Sequence, residues 1–191
     1  MGLMIHSLEG LPEGHHRDYF IYLLDYGWAE PLSDALKNNF KRMATLASEQ
    51  GNAVVIASSD TGVHFSDEVL SWHNINGHDV ENENLLPAIL VTNRHPSEFK
   101  HRASTMQRTE FNLKLVLFPL KNYCQDTGEV ISLIQKIFSS IKDGKDLDDF
   151  QITKRKNAGF HGALADSLII APTANGTKVS YDTINSYLSN L

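Results

Sequence analysis

The chain has 191 residues, 41% of them hydrophobic and 21% charged, with a formal net charge of −6. These are ordinary values for a globular protein with room for a buried core, and they exclude a molecule that binds nucleic acid or anionic membrane through its overall charge. The single cysteine, Cys124, excludes an internal disulfide.

Met1 to His6 lack the basic region and long apolar stretch of a signal peptide. Position 6 is His6, where an N-myristoylation motif has Ser or Thr. No apolar run reaches membrane-spanning length, and a cytoplasmic location without membrane contact is expected. Residues 1–17, with Gly10, Pro12 and Gly14, read as a mobile or draped N-terminal segment. Asp18 to Asp25 is a near-continuous apolar run rich in aromatic and branched residues, as in a strand buried on both faces.

Pro31 suits a first helical turn, where its missing N–H costs nothing. Leu32, Leu36, Phe40, Met43 and Ala47 then make one apolar helix face, and Gly51 sits where a left-handed cap is wanted. Asn52 to Ser58 reads as a second buried strand, so that strand, helix and strand form one right-handed βαβ unit. Ser66-Asp67-Glu68 can cap a short helix carrying Val69, Leu70 and Trp72. After a polar stretch over 76–84, Pro87 opens a third strand, Ala88 to Thr92. Residues 93–110 are polar and basic. Phe111 to Phe118 is a fourth strand, ended by Pro119. Asp126 or Thr127 can cap the next helix, with Glu129 reaching back; Val130, Ile134, Ile137, Phe138 and Ile141 form its buried face and Gly144 ends it. Further on, 148–154 can be a short strand and Ala165 to Ala171 either a strand or a buried helix. Pro172 and Asn175-Gly176 mark a turn, and Ser180 to Leu191 reads as a short helix. No internal repeat or low-complexity tract is present.

The order β-α-β-α-β-β-α over residues 18–143, the segment Leu85-Leu86-Pro87-Ala88-Ile89-Leu90, and the turn Gly27-Trp28-Ala29-Glu30-Pro31 resemble the thioredoxin family. The resemblance implies a three-layer α/β/α fold with a central mixed sheet of four or five strands, and a cis bond before Pro87 facing the turn. It also implies an N-terminal segment over 1–17, a domain over 18–144 and a C-terminal extension over 145–191 packed on it. The family's redox Cys-x-x-Cys is missing, so thiol–disulfide exchange does not carry over.

Two stretches carry groups of chemical interest. His64, His73 and His78 lie near Asp60, Asp67 and Asp79, residue types that ligate metals or act as general bases. Their spacing fits no standard metal signature, and surface residues in polar loops are the plainer reading. From Arg94 to Arg108 the chain carries Arg94, His95, Lys100, His101, Arg102 and Arg108 against the lone acid Glu98, a local reversal of sign that suits an anionic ligand or acidic partner. With only Phe99 and Phe111 interleaved, it is a poor base-stacking platform.

Other features are weaker. Lys154-Arg155-Lys156 beside Asp146, Asp148 and Asp149 reads as a charge-paired turn, and no phosphate-cradling or nucleophile-elbow motif occurs. Cys124 precedes a helix start, where a lowered thiol pKa is conceivable, although a lone thiol outside a motif is ordinarily inert. Tyr26, Trp28 and Trp72 can line a partner groove or simply pack.

The expected function is a binding or assembly module without redox chemistry, an accessory subunit or adaptor of the kind found in bacterial multi-gene systems such as phage defence. Its partner is a protein or a second copy of the chain, with an anionic ligand at the basic stretch, no cofactor, and neither catalytic nor metal-ligating residues. Trp28, Arg94, His95, Lys100, Arg102 and Arg108 are the expected contact residues. The alternatives are a metal-dependent hydrolase or nuclease using His64, His73 and His78, and a nucleotide or nucleic-acid sensor using the basic stretch.

Overall fold

A strand can be apolar at every position only if both faces of its sheet are covered. Tyr19–Leu24 (β2) is such a strand, buried along its whole length. In the computed structural model, which describes residues 1–12, 17–27, 29–59, 63–73, 75, 85–100, 115–143, 150–154 and 168–172, β2 lies inside a mixed sheet. On one side it pairs in parallel with Ala53–Ser58 (β3), Phe20 beside Val54. On the other it pairs antiparallel with Ala88–Thr92 (β4), Ile21 beside Val91. Leu115–Pro119 (β5) continues antiparallel to β4. The Leu86–Pro87 peptide leading into β4 is cis.

The strands turn alternate residues to two cores. Tyr19, Ile21 and Leu23 meet Ala35, Leu36, Met43 and Ala47 of helices Pro31–Asn38 (α1) and Phe40–Gln50 (α2), together with Val130, Ile134, Ile137 and Phe138 of Thr127–Lys142 (α6). Phe20, Tyr22 and Leu24 meet Phe65, Val69 and Leu70 of Val63–Trp72 (α3) on the opposite face. Two short helices, Pro96–Lys100 (α4) and Leu120–Tyr123 (α5), follow β4 and β5. The α6 start is a reciprocal cap: the Glu129 N–H donates to Asp126 Oδ1 at 2.9 Å, and the Gln125 N–H donates to Glu129 Oε2 at 2.6 Å. Among the described residues no helix is long and apolar enough to cross a membrane.

The sheet is wider than the four or five strands expected. Gly2–Ile5 (β1) pairs in parallel with β3, while Leu168–Pro172 (β7) pairs in parallel with β5 and carries Phe150–Lys154 (β6) antiparallel at its far edge. The order of the seven strands is β1-β3-β2-β4-β5-β7-β6. The additional strands satisfy backbone groups that β3 and β5 would otherwise present at open edges. The N-terminal residues are thus part of the fold: β1 joins the sheet, and Leu8 and Leu11, flanking a short 3₁₀ turn, are buried under α3.

Three other expectations are corrected. The single helix over 31–50 is divided in two at Asn39, which stands at φ −88°, ψ −3° and whose side-chain amide donates to the Ala35 carbonyl at 2.8 Å alongside its own N–H. Gly51 does end the second in the left-handed conformation, at φ 75°. Ser66-Asp67-Glu68 lies inside α3 and does not cap it, and residues 96–100 of the basic stretch are helical. Residues 165–171 resolve in favour of a strand from Leu168 onward, and the expected helix from Ser180 lies outside the described residues.

Helix α2 rests directly on β1. A Cβ at Gly2 would lie 2.5 Å from Ala44 Cβ, whereas a Cβ at Gly10 meets nothing within 4 Å. Gly2→Ala is therefore expected to cost about 2 kcal/mol and lower Tm by about 4–8 °C. Gly10→Ala is expected to leave thermal unfolding, followed by circular dichroism, unchanged.

Candidate functional site

Where β2 ends, the chain must change from apolar to polar while still inside the protein. Asp25 makes that change, and it is buried. Its Oδ1 accepts a hydrogen bond from the Ser33 hydroxyl at 3.0 Å, and its Oδ2 lies 2.7 Å from Lys37 Nζ. Ser33 and Lys37 are four residues apart on α1 and so lie on one helix face. Asp25 is also held through its main chain from the opposite face of the sheet. Its N–H donates to Ser66 Oγ at 2.9 Å, and the Ser66 hydroxyl donates to its carbonyl at 2.9 Å. A buried carboxylate without such partners would be strongly destabilising.

The turn that follows carries Gly27 at φ 78°, a conformation glycine adopts without a Cβ clash. The Tyr26 hydroxyl donates to Asp67 Oδ1 at 2.8 Å, and Lys121 Nζ reaches Glu30 Oε1 at 3.1 Å. The cis Leu86–Pro87 peptide belongs to the same end of the sheet, since Ala88 lies opposite Leu24. Leu85, Leu86 and Pro87 are buried, and the Pro87 carbonyl accepts from the Leu120 N–H at 2.8 Å. Trp28 lies outside the described residues.

Neither Ser33 nor Cys124 is an accessible nucleophile. Ser33 is 1% exposed and directs its proton at Asp25. The chain's one thiol, Cys124, lies in the core beneath α6 and is 5% exposed. Burial pushes that thiol up to about 11, with Glu129 and Asp126 adding repulsion, so the lowered pKa conceivable at a helix start is absent.

The remaining candidates fall elsewhere. His64 is exposed on α3, whereas His73 is fully buried. The His73 ring meets Tyr22 edge-on at 5.4 Å and Phe99 at 4.2 Å, and its Nδ1 donates to the Val69 carbonyl at 2.7 Å. The aromatic contacts explain why a histidine expected on a polar surface lies inside. His78 lies outside the described residues, and among those described no three His, Cys, Asp or Glu are grouped to hold a metal ion. Arg94 is 3.7 Å from Glu98, and the His95 ring packs edge-on against Phe20 at 5.4 Å. The Lys100 side chain, His101, Arg102 and Arg108 lie outside the described residues, as do Arg155 and Lys156. Phe20 pairs with Thr92, and Leu24 with Ala88, so Arg94 and the Asp25 turn stand at opposite ends of the sheet. They do not form one site.

The Asp25–Ser33–Lys37 group went unmarked among the sequence candidates. Its trace in the sequence is an acid ending an apolar strand, followed by Ser-x-x-x-Lys on the next helix. Searches with protein-family models, against curated proteins and against solved structures find no match to this chain.

Two outcomes are expected from this geometry. Ser66→Ala strips partners from both main-chain groups of Asp25 and is expected to cost about 2 kcal/mol. Lys37→Ala leaves the buried Asp25 carboxylate without its cation and is expected to cost about 2 kcal/mol or more. Urea unfolding gives both values, and a lysine variant as stable as the parent contradicts the pairing with Asp25. For Cys124, a thiol raised to about 11 is roughly 0.1% thiolate at pH 8. Native labelling by a disulfide reagent is thus expected to be at least about a hundredfold slower than labelling in urea. The native rate should keep climbing toward pH 11, well past the point where the unfolded chain levels off.

Proposed function

We propose that this protein is a binding or assembly module built on a thioredoxin-like scaffold that performs no redox chemistry. The observation that carries this reading is the chemistry at the end of β2. The turn there holds a buried carboxylate tied to Ser33, Lys37 and Ser66, and the only thiol of the chain is buried elsewhere. The strand order β1-β3-β2-β4-β5 and the cis peptide ahead of β4 support the scaffold. Disulfide exchange needs a reachable thiolate, and none is offered at this turn.

Recognition then falls to surfaces. The turn from Tyr26 to Pro31, with Trp28 at its centre, is the first contact surface, and its partner is a protein or a second copy of the chain. An accessory role in a cytoplasmic multi-gene system, phage defence included, fits a chain of this kind. The basic stretch, whose first residue Arg94 stands at the opposite end of the sheet, is a second contact surface, suited to an acidic partner.

The reading is tested by insulin reduction with dithiothreitol as the reductant. Turbidity is expected to rise at the same rate with and without the protein, and acceleration above the reductant alone overturns the reading. In parallel, light scattering of the tagged full chain is expected to show a stoichiometric complex or self-association that Trp28→Ala weakens at least about tenfold, as for an aromatic anchor.

A further inference from the structure

Three consecutive residues of α3 hold two different parts of the protein, the turn after β2 and the N-terminal segment. Ser66 binds the main chain of Asp25 at 2.9 Å through both its donor and its acceptor. Asp67 accepts from the Tyr26 hydroxyl at 2.8 Å. Glu68 spends both carboxylate oxygens on the N-terminal segment, accepting from the Ser7 hydroxyl at 2.8 Å and from the Leu8 N–H at 2.8 Å. That segment is further held by burial of Leu8 and Leu11 in the core that contains Phe65, Val69 and Leu70 of α3. A helix moves as a unit over three residues, because its backbone bonds are shared between neighbouring turns. What displaces Glu68 also displaces Ser66 and Asp67.

We propose that α3 is a coupling lever. Docking of the N-terminal segment on Glu68 sets the turn after β2, and the segment from Ser7 to Leu11 acts as a strap that holds Asp25 and Tyr26 in place. The strap regulates the contact surface assigned above, and that consequence rests on the functional reading; the mechanical coupling itself does not. The two ends report on each other equally, because coupling between two sites is reciprocal in free energy. A partner that pulls Tyr26 away from Asp67 loosens the strap, and removal of the strap loosens the turn. The physical warrant is one shared rigid element with charge-assisted hydrogen bonds at both ends.

Amide hydrogen exchange on the full-length protein, read by mass spectrometry, tests the lever without any partner. Ser7→Ala removes, at a partly buried position, the hydroxyl that donates to Glu68 and accepts from the Glu9 N–H at 3.2 Å, and Glu68→Ala removes the whole acceptor. Both are expected to raise exchange over residues 2–11 and, in step, over residues 25–32, by about five- to tenfold. The interior of α6, around Ile137 and Ile141, is expected to stay unchanged. Tyr26→Phe is the reverse arm and is expected to raise exchange over residues 2–11. An increase confined to residues 2–11 in the first two variants overturns the coupling. So does an increase that is equal in α6, which marks general loss of stability, or a Tyr26→Phe variant without effect on the N-terminal segment. The insulin and light-scattering measurements judge the functional reading separately, so failure of either claim is recognisable by itself.

Discussion

A polar residue at the buried end of a strand has to be satisfied from above and below the sheet, and Asp25 is satisfied in that way. Its carboxylate faces α1, where Ser33 and Lys37 meet it, and its peptide groups face α3, where Ser66 meets both. Helices on opposite faces of the sheet are thereby registered against one residue. The apolar cores on either side tolerate small slips, because hydrophobic contact has no direction. The hydrogen bonds at Asp25 do not, and they fix where α1 begins and how the turn before it is aimed. Substituting an apolar residue at position 25 would relieve the burial cost but leave the two helices related only by packing.

The same junction explains the chemistry this end of the sheet lacks. Thiol exchange needs a sulfur that solvent and substrate can reach and whose charged form is favoured. Here the Ser33 hydroxyl donates a hydrogen bond to Asp25, and Lys37 is paired with the same carboxylate. Cys124 is held in the opposite condition, buried near two acidic residues that raise its pKa. Around the turn, among the described residues, polar groups are paired, Tyr26 with Asp67 and Glu30 with Lys121.

How far the sequence could reveal this depended on the range of the interactions. Strands β2, β3 and β4 were legible because burial on both faces leaves an uninterrupted apolar run. Helix α6 was legible because its apolar period and its Asp126–Glu129 cap are local. Strand β1 was not: four residues, Gly2 to Ile5, carry no alternation, and their role comes from β3, some fifty positions away. Ser66-Asp67-Glu68 showed a need for hydrogen bonds that was visible locally. The local reading assigned them to a helix end, while the true partners, Asp25, Tyr26, Ser7 and Leu8, are separated by 41 to 61 residues. The division at Asn39 falls within a continuous apolar helical period, so the pattern of residues 31–50 does not mark it. His73 looked polar because its neighbours in sequence are polar, while its neighbours in space, Tyr22 and Phe99, are aromatic. Function was less legible still, since no residue pattern here specifies a reaction.

Helix α3 also bears on how the two ends of the sheet are related. At its first turns it grips the Asp25 end, and just past its last turn His73 packs against Phe99 of α4, at the end where the basic stretch begins. From Ser66 to His73 the helix rises only about 10 Å, yet it touches elements leading to both proposed contact surfaces. Arg94, partly offset by Glu98, and His95, fixed on Phe20, anchor the start of the basic stretch to the same side of the sheet. The Tyr26 turn and the start of the basic stretch are therefore linked through one helix. The element between them is rigid, polar at one end and aromatic at the other, and it is positioned by contacts that neither surface controls alone.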